Sequence, residues 1–216
     1  MQNPHSISQV TALAGRTPVL ISALLLALLI SCGSKQTMLP WLSPDATVLA
    51  FGDSLTHGTG AAKGESYPAV LADLTGRRII NAGVPGETTA QGLQRLPALL
   101  EQHQPDLLLL CLGGNDFLRR QSAEAAKQNL ARMIEMAQAA SVPVLLIGVP
   151  QPGLFLSADP IYAELAEQYQ VILEADAIPS VLDDKALKSD TVHPNAAGYR
   201  QIAQAIADLM RSRGAL

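Results

Sequence analysis

Five short, nearly unbroken apolar runs punctuate the chain, at residues 48–51, 78–82, 107–112, 144–149 and 171–173, with helical patterns between them. A strand open to water on one face alternates apolar and polar residues. A continuous run must be covered on both faces, which is the condition of strands in a parallel sheet. Between the runs, Ala126, Leu130, Met133, Ile134 and Ala137 recur at helical spacing, as do Ile202, Ile206, Leu209 and Met210, with Gly214 as a stop signal. A helix expected from about 88 to 103 contains Pro97, which should kink or restart it. Strand–helix alternation repeated five times predicts a three-layer α/β/α domain on a five-stranded parallel sheet. At 216 residues, with no internal repeat, one such domain is expected.

Composition narrows the function. With 48% hydrophobic and 16% charged residues the chain is not a disordered one. A net charge of −4 with no basic stripe argues against a nucleic-acid partner. The apolar stretch 19–30 (VLISALLLALLI) is too short to span the ~30 Å hydrocarbon core of a bilayer and fits the central region of a secretory signal peptide. It ends Leu29-Ile30-Ser31-Cys32, which resembles the lipobox of bacterial lipoproteins. That resemblance implies a signal peptide over 1–31, cleavage before Cys32 and lipidation of Cys32. Gly33 rather than Asp after the cysteine implies an outer-membrane, extracytoplasmic address. Cleavage would remove Arg16 and deepen the negative charge by one. Residues 32–45 then read as lipidated cysteine and tether, with Trp41 expected against the domain, and residues 46–216 as the folded domain. The second cysteine, Cys111, lies in an apolar run and is expected as a buried small hydrophobe, so no disulfide forms within the domain.

Ligands of an open parallel sheet bind beyond the carboxyl ends of its strands. Gly52-Asp53-Ser54 follows the first run, Asn81-Ala82-Gly83 the second, and Gly113-Gly114-Asn115-Asp116 the third; Asp190-Thr191-Val192-His193-Pro194 precedes the last helix. A serine hydroxyl needs a base to take its proton during attack, and imidazole is suited to that task when a carboxylate fixes its tautomer. Asp190, three residues before His193, is at a spacing that shares one helical turn, and Pro194 suits the first position of the following helix. Backbone N–H groups of Ser54 and Gly83 and the side-chain amide of Asn115 are candidate donors to a developing oxyanion. Asp53 is expected to brace the serine turn, and Asp116 to brace its loop or lie at the substrate. His57 has nothing to position it as a base, and His103 reads as a helix-end residue. Phe117, Leu154 and Phe155 are candidate substrate-contacting residues, with sealing of the core edge as the alternative. Arg119 and Arg120 read as a solvated pair. No metal-ligand cluster or nucleotide-binding glycine loop is present, so neither a metal nor a cofactor is expected.

The four blocks GDSL at 52–55, NAGVPGETT at 81–89, GGND at 113–116 and DTVHPN at 190–195 resemble those of the SGNH, or GDSL-type, hydrolases, most of all the thioesterase I, lysophospholipase and arylesterase branch. The resemblance implies a flavodoxin-like sheet, Ser54 as nucleophile, Gly83 and Asn115 completing the oxyanion hole, and Asp190–His193 as acid and base. It implies hydrolysis of a small-molecule or lipid ester or thioester through an acyl-enzyme, with O-acetyl groups on envelope polysaccharide as the alternative substrate. A non-catalytic envelope lipoprotein that keeps the fold is the rival reading.

Overall fold

The computed structural model describes residues 37–153 and 156–216. The leader, Cys32, Leu154 and Phe155 lie outside the described residues. The five apolar runs are the strands β1 (Thr47–Gly52), β2 (Arg78–Gly83), β3 (Leu107–Cys111), β4 (Val144–Ile147) and β5 (Ile172–Glu174). All pair in parallel in the order β2-β1-β3-β4-β5, the flavodoxin-like arrangement expected. The central strands β3 and β4 are buried at every position, and β1 at all but its first residue, whereas the edge strand β2 is only half-buried.

The helices are α1 (Ser54–His57), α2 (Tyr67–Thr75), α3 (Thr89–His103), α4 (Gly114–Leu118), α5 (Ala123–Ala139), α6 (Pro160–Tyr169), α7 (Ala177–Asp183) and α8 (Ala196–Ser212). Helix α2 packs on α8, which also meets α7, while α5 packs on α3 and α6. Right-handed crossovers leftward from β1 and then rightward from β2 put these two groups on opposite faces of the sheet. The stripe Ala126, Leu130, Met133, Ile134 and Ala137 of α5 is buried as its spacing predicts, and Ile202, Ile206 and Met210 of α8 likewise. Helix α3 starts with a reciprocal capping box between Thr88 and Gln91 and runs through Pro97 without restarting.

Segment 37–46 is less of a tether than its composition suggests. Leu39 N donates to Arg213 O and Leu42 N to Ala215 O, each at 2.9 Å, and both leucines are buried. Trp41, expected to pack against the domain, is instead 65% exposed, because its neighbours Leu39 and Leu42 take the inward positions. Cys111 is a free, fully buried thiol.

At Gly52, paired with Cys111 of β3, a Cβ would collide with the Cys111 carbonyl and the Thr56 side chain. Gly52→Ala should therefore cost about 1–3 kcal/mol by forcing the strand ends apart. Its urea midpoint should fall well below the parent's with an unchanged slope, and an unaltered midpoint would contradict the close approach.

Candidate active site

The strand order reverses between β1 and β3, and the chain leaves the two strands in opposite directions to open a crevice at their carboxyl ends. Ser54 begins α1 there, one residue beyond Asp53, whose Oδ1 caps the turn by accepting from Leu55 N at 3.0 Å. Gly58, in the left-handed region at φ 98°, ends this single turn. Below it, Tyr67 Oη lies 3.0 Å from Thr56 Oγ1, and Tyr199 Oη donates to Thr59 O at 2.7 Å. Both rings are fully buried, so the turn that carries Ser54 stands on a rigid floor.

His193 Nε2 is 3.0 Å from Ser54 Oγ, and His193 Nδ1 is 2.8 Å from Asp190 Oδ2. The pair is not on a helical turn, as the spacing suggested. Asp190 Oδ1 accepts from the backbone N–H groups of Val192 at 2.8 Å and His193 at 2.9 Å, so one carboxylate folds the loop and orients the imidazole. Partial burial raises the Asp190 pKa, but hydrogen bonds from His193 and Val192 outweigh it and hold the carboxyl below its ordinary range. Nor does Pro194 open the last helix. Asn195 caps α8 by accepting from Gly198 N, and its amide ties the loop back to Ala186 O and Lys188 O.

Asn115 reaches the crevice from α4. Its Nδ2 donates to Asp53 Oδ2 at 3.2 Å and to Glu87 O at 3.1 Å. Asp53 thus does more than brace the serine turn; it also holds this amide. Burial pushes its pKa up to about 7, against the lowering effects of the Leu55 N–H, the His193 charge and the Asn115 amide.

Gly83 does not join the site. Its N–H donates to Asn81 Oδ1 at 2.9 Å, and its Cα faces the backbone of His57 instead of the cavity. Three residues on, Gly86 lines the cavity beside Ser54 and Asn115 at φ +79°, a conformation that favours glycine. Among the hydrogen bonds of the described residues, the N–H groups of Ser54 and Gly86 have no acceptor. The Gly86 loop is pinned from outside. Arg119 donates to Gly86 O at 2.8 Å, so it is not merely solvated, and Arg95 grips buried Glu87 at 2.6 and 2.8 Å while lying 4.3 Å over the Phe51 ring.

Asp116 is likewise away from the cavity. It accepts from Thr89 N at 2.9 Å and Thr89 Oγ1 at 2.7 Å, which joins its loop to the start of α3. Phe117 is buried in the core and does not line the crevice. Leu118, the next residue, does line it, with Val149, Pro150, Leu156 and Leu182. His57 is exposed and outside the relay. The cavity holds about 490 Å³ and is walled mainly by apolar side chains, with Ser54 and His193 at its base.

A serine hydroxyl, an imidazole and a carboxylate are therefore in line at hydrogen-bond distance beside free backbone donors. The profile of the GDSL-like Lipase/Acylhydrolase family matches residues 50–201, which spans all four blocks. The chain belongs to the SGNH, or GDSL-type, hydrolases. This hydrolase is 35% identical over 176 residues to Thioesterase 1/protease 1/lysophospholipase L1 of Escherichia coli K12, covering 76% of this chain and 81% of that protein. It is 31% identical to Esterase TesA of Pseudomonas aeruginosa, over 82% of this chain and 94% of that one. Among solved structures, the SGNH-family esterase AlinE4 superposes with a TM-score of 0.62 at 38% identity, covering 79% of this chain and 97% of the other.

The buried carboxyl of Asp53 makes the hydrolase's stability depend on pH. A pKa raised from 3.8 to about 7 means the folded state holds a proton that the unfolded state has lost. The associated stability is complete below pH 3.8 and is lost as pH rises through about 7. Against Asp53→Asn, which does not titrate, the wild type should lose ground steadily across that window and run parallel above it. Urea midpoints of the two proteins over a pH series provide the measurement, and curves parallel throughout would contradict the assignment.

Proposed function

We propose that this hydrolase cleaves carboxylic esters and thioesters of short or medium acyl groups, including aryl esters and lysophospholipids, through an acyl-enzyme. The observation that carries the reading is the relay from Asp190 through His193 to Ser54, at 2.8 and 3.0 Å, at the base of an apolar cavity. Ser54 Oγ attacks the carbonyl carbon as its proton passes to His193 Nε2. Asp190 keeps Nδ1 protonated and stabilises the imidazolium. The oxyanion forms against Ser54 N–H and Gly86 N–H, with one proton of the Asn115 amide turning toward it. Such donors are worth about 2.7–4 kcal/mol each. His193 then returns its proton to the departing alcohol or thiol. Water enters, gives its proton to the same nitrogen and attacks the acyl carbon; His193 passes that proton to Ser54 Oγ as the ester bond to it breaks, releasing the acid and restoring Ser54.

The lipobox-like end of the leader supports a second part of the proposal. The chain is cut before Cys32, acylated there, and works outside the cytoplasm on an outer-membrane anchor. More than one acyl chain is needed to make such an anchor stable.

A fluorophosphonate should label the wild type stoichiometrically and leave Ser54→Ala unlabelled. Hydrolysis of p-nitrophenyl acetate should disappear in Ser54→Ala and in His193→Ala, with both variants folded by circular dichroism. A wild type that neither labels nor turns over would refute the catalytic reading. Asn115→Ala should label slowly and lose about 10²–10³-fold in kcat, and an unchanged kcat would remove its amide from the oxyanion hole.

A further inference from the structure

The folded body has two poles. The crevice opens at the carboxyl ends of the strands, and segment 37–46 lies at their amino ends, just before β1 and paired with residues 213–215 beyond the end of α8. Helix α8 starts three residues after His193 and is 17 residues long, so about 25 Å of helix separates the two poles.

The pole at segment 37–46 presents large apolar side chains to water beside its charged ones. Of the five large apolar side chains exposed among the described residues, three are here: Met38 at 58%, Trp41 at 65% and Met136 at 37%. Met38 lies against Gly214, while Trp41 and Met136 line a groove of about 910 Å³ with Leu42, Leu100 and Pro143. The groove is nowhere near Ser54, and the reaction gives it no role. It is bounded by the starts of β3 and β4, at the opposite end of the sheet from the relay.

We propose that this pole is a membrane-contacting surface, on which the protein rests against its own bilayer with Trp41 at headgroup level and the crevice opening away from that membrane. The proposal rests on the lipidation of Cys32 put forward above. Four residues separate Cys32 from Thr37, and the five Cα–Cα steps fully extended reach at most about 18 Å. That length lays the tether pole on the interface. It is too short to turn the body over and bring the opposite pole, about 25 Å away, onto the same surface. Tryptophan, with an apolar body and one N–H donor, is a side chain that settles at the membrane–water boundary. The charges of this pole suit contact at that depth and no deeper. Arg78 is exposed at the start of β2, and Arg77, held on Leu42 O, adds a second cation. Asp45 within the segment, Glu101 on the groove and Asp106, bound to Thr47 N, oppose burial in hydrocarbon. Substrates that reach Ser54 then come from solution or from a facing surface, and not from the leaflet that holds the anchor.

Trp41 is the chain's single tryptophan, so its fluorescence reports on this pole alone. Full-length lipidated protein in vesicles of phosphatidylethanolamine and phosphatidylglycerol should emit at shorter wavelength than Cys32→Ala protein in solution. It should also be quenched when the acyl chains are brominated, and be shielded from acrylamide. Emission equal in brominated and plain vesicles, and equally open to acrylamide, overturns the proposal. Flotation separates this outcome from failure of the anchor. Cys32→Ala protein that still floats with the vesicles refutes lipidation as the attachment, whereas wild type that floats with unquenched Trp41 refutes the contact surface alone. Anchored wild type should hydrolyse a water-soluble p-nitrophenyl ester as fast as Cys32→Ala, and a large loss on anchoring would put the mouth against the membrane and overturn the orientation.

Discussion

The crevice exists because the chain departs from β1 and β3 in opposite directions, and everything catalytic is arranged around that divergence. One strand end supplies Ser54 and the other supplies Asn115. The strands are hydrogen-bonded neighbours, with Gly52 opposite Cys111, so these two side chains start a fixed distance apart. The third participant arrives from far along the chain. Asn195, Asp190 and the Lys188–Pro194 bridge fold the loop before α8 so that His193 projects over Ser54. Helix α8 in turn is fixed by its buried stripe against α2 and α7. The position of His193 is thus set by core packing, and only its orientation by the carboxylate.

Beneath the relay lies a polar layer that a hydrophobic core does not need. Asp53 is fully buried, and the hydroxyls of Tyr67, Tyr162 and Tyr199 each meet a polar atom near the end of β1 or β3. Burial raises the pKa of all three tyrosines, which keeps them neutral, so they serve as fixed hydrogen-bonding groups. Asp53 is the costly member. Holding a carboxyl with a pKa near 7 out of water works against the folded state once it ionises. What it secures is a partner for the Asn115 amide, placed beside the nucleophile before substrate arrives. With its nitrogen held there by Asp53 and Glu87, that amide has only one N–H to turn when charge develops.

Period and punctuation made the scaffold legible. Strands need continuous apolar runs and helices need a stripe, and both signals are local. The relay was legible for a similar reason, since Asp190 and His193 are three residues apart and Ser54 immediately follows a strand. The errors fall where a long-range hydrogen bond decides. Nothing local distinguishes Gly83 from Gly86; the first is committed by Asn81 and the neighbouring His57 backbone, and the second is turned into the cavity by a positive φ. Asp116 reads as a site residue until Thr89, 27 residues away, claims both its oxygens. Leu118 rather than Phe117 faces the crevice because α4 is a short turn, and one residue of rotation moves a side chain from core to surface. The grip of Arg119 and Arg95 on the Gly86 loop depends on partners that spacing does not reveal.

The walls of the crevice bear on how selective such a site can be. Val149, Pro150, Leu156, Leu182 and Leu118 offer area but almost no directional bonding. An added or missing methylene in a pocket of this kind changes the barrier by only about 1–3 kcal/mol. Apolar walls therefore grade acyl groups by length and do not select one. Strong rejection requires a buried polar group that the wrong substrate leaves unpaired. Ser54, His193 and the Asn115 amide at the base meet the ester carbonyl common to every substrate, and Thr59, Gln151, Lys188 and Thr191 add polar side chains to the lining. Discrimination between esters then falls to these four side chains and to how the esters are presented to the crevice: their solubility, and the surface from which they are delivered.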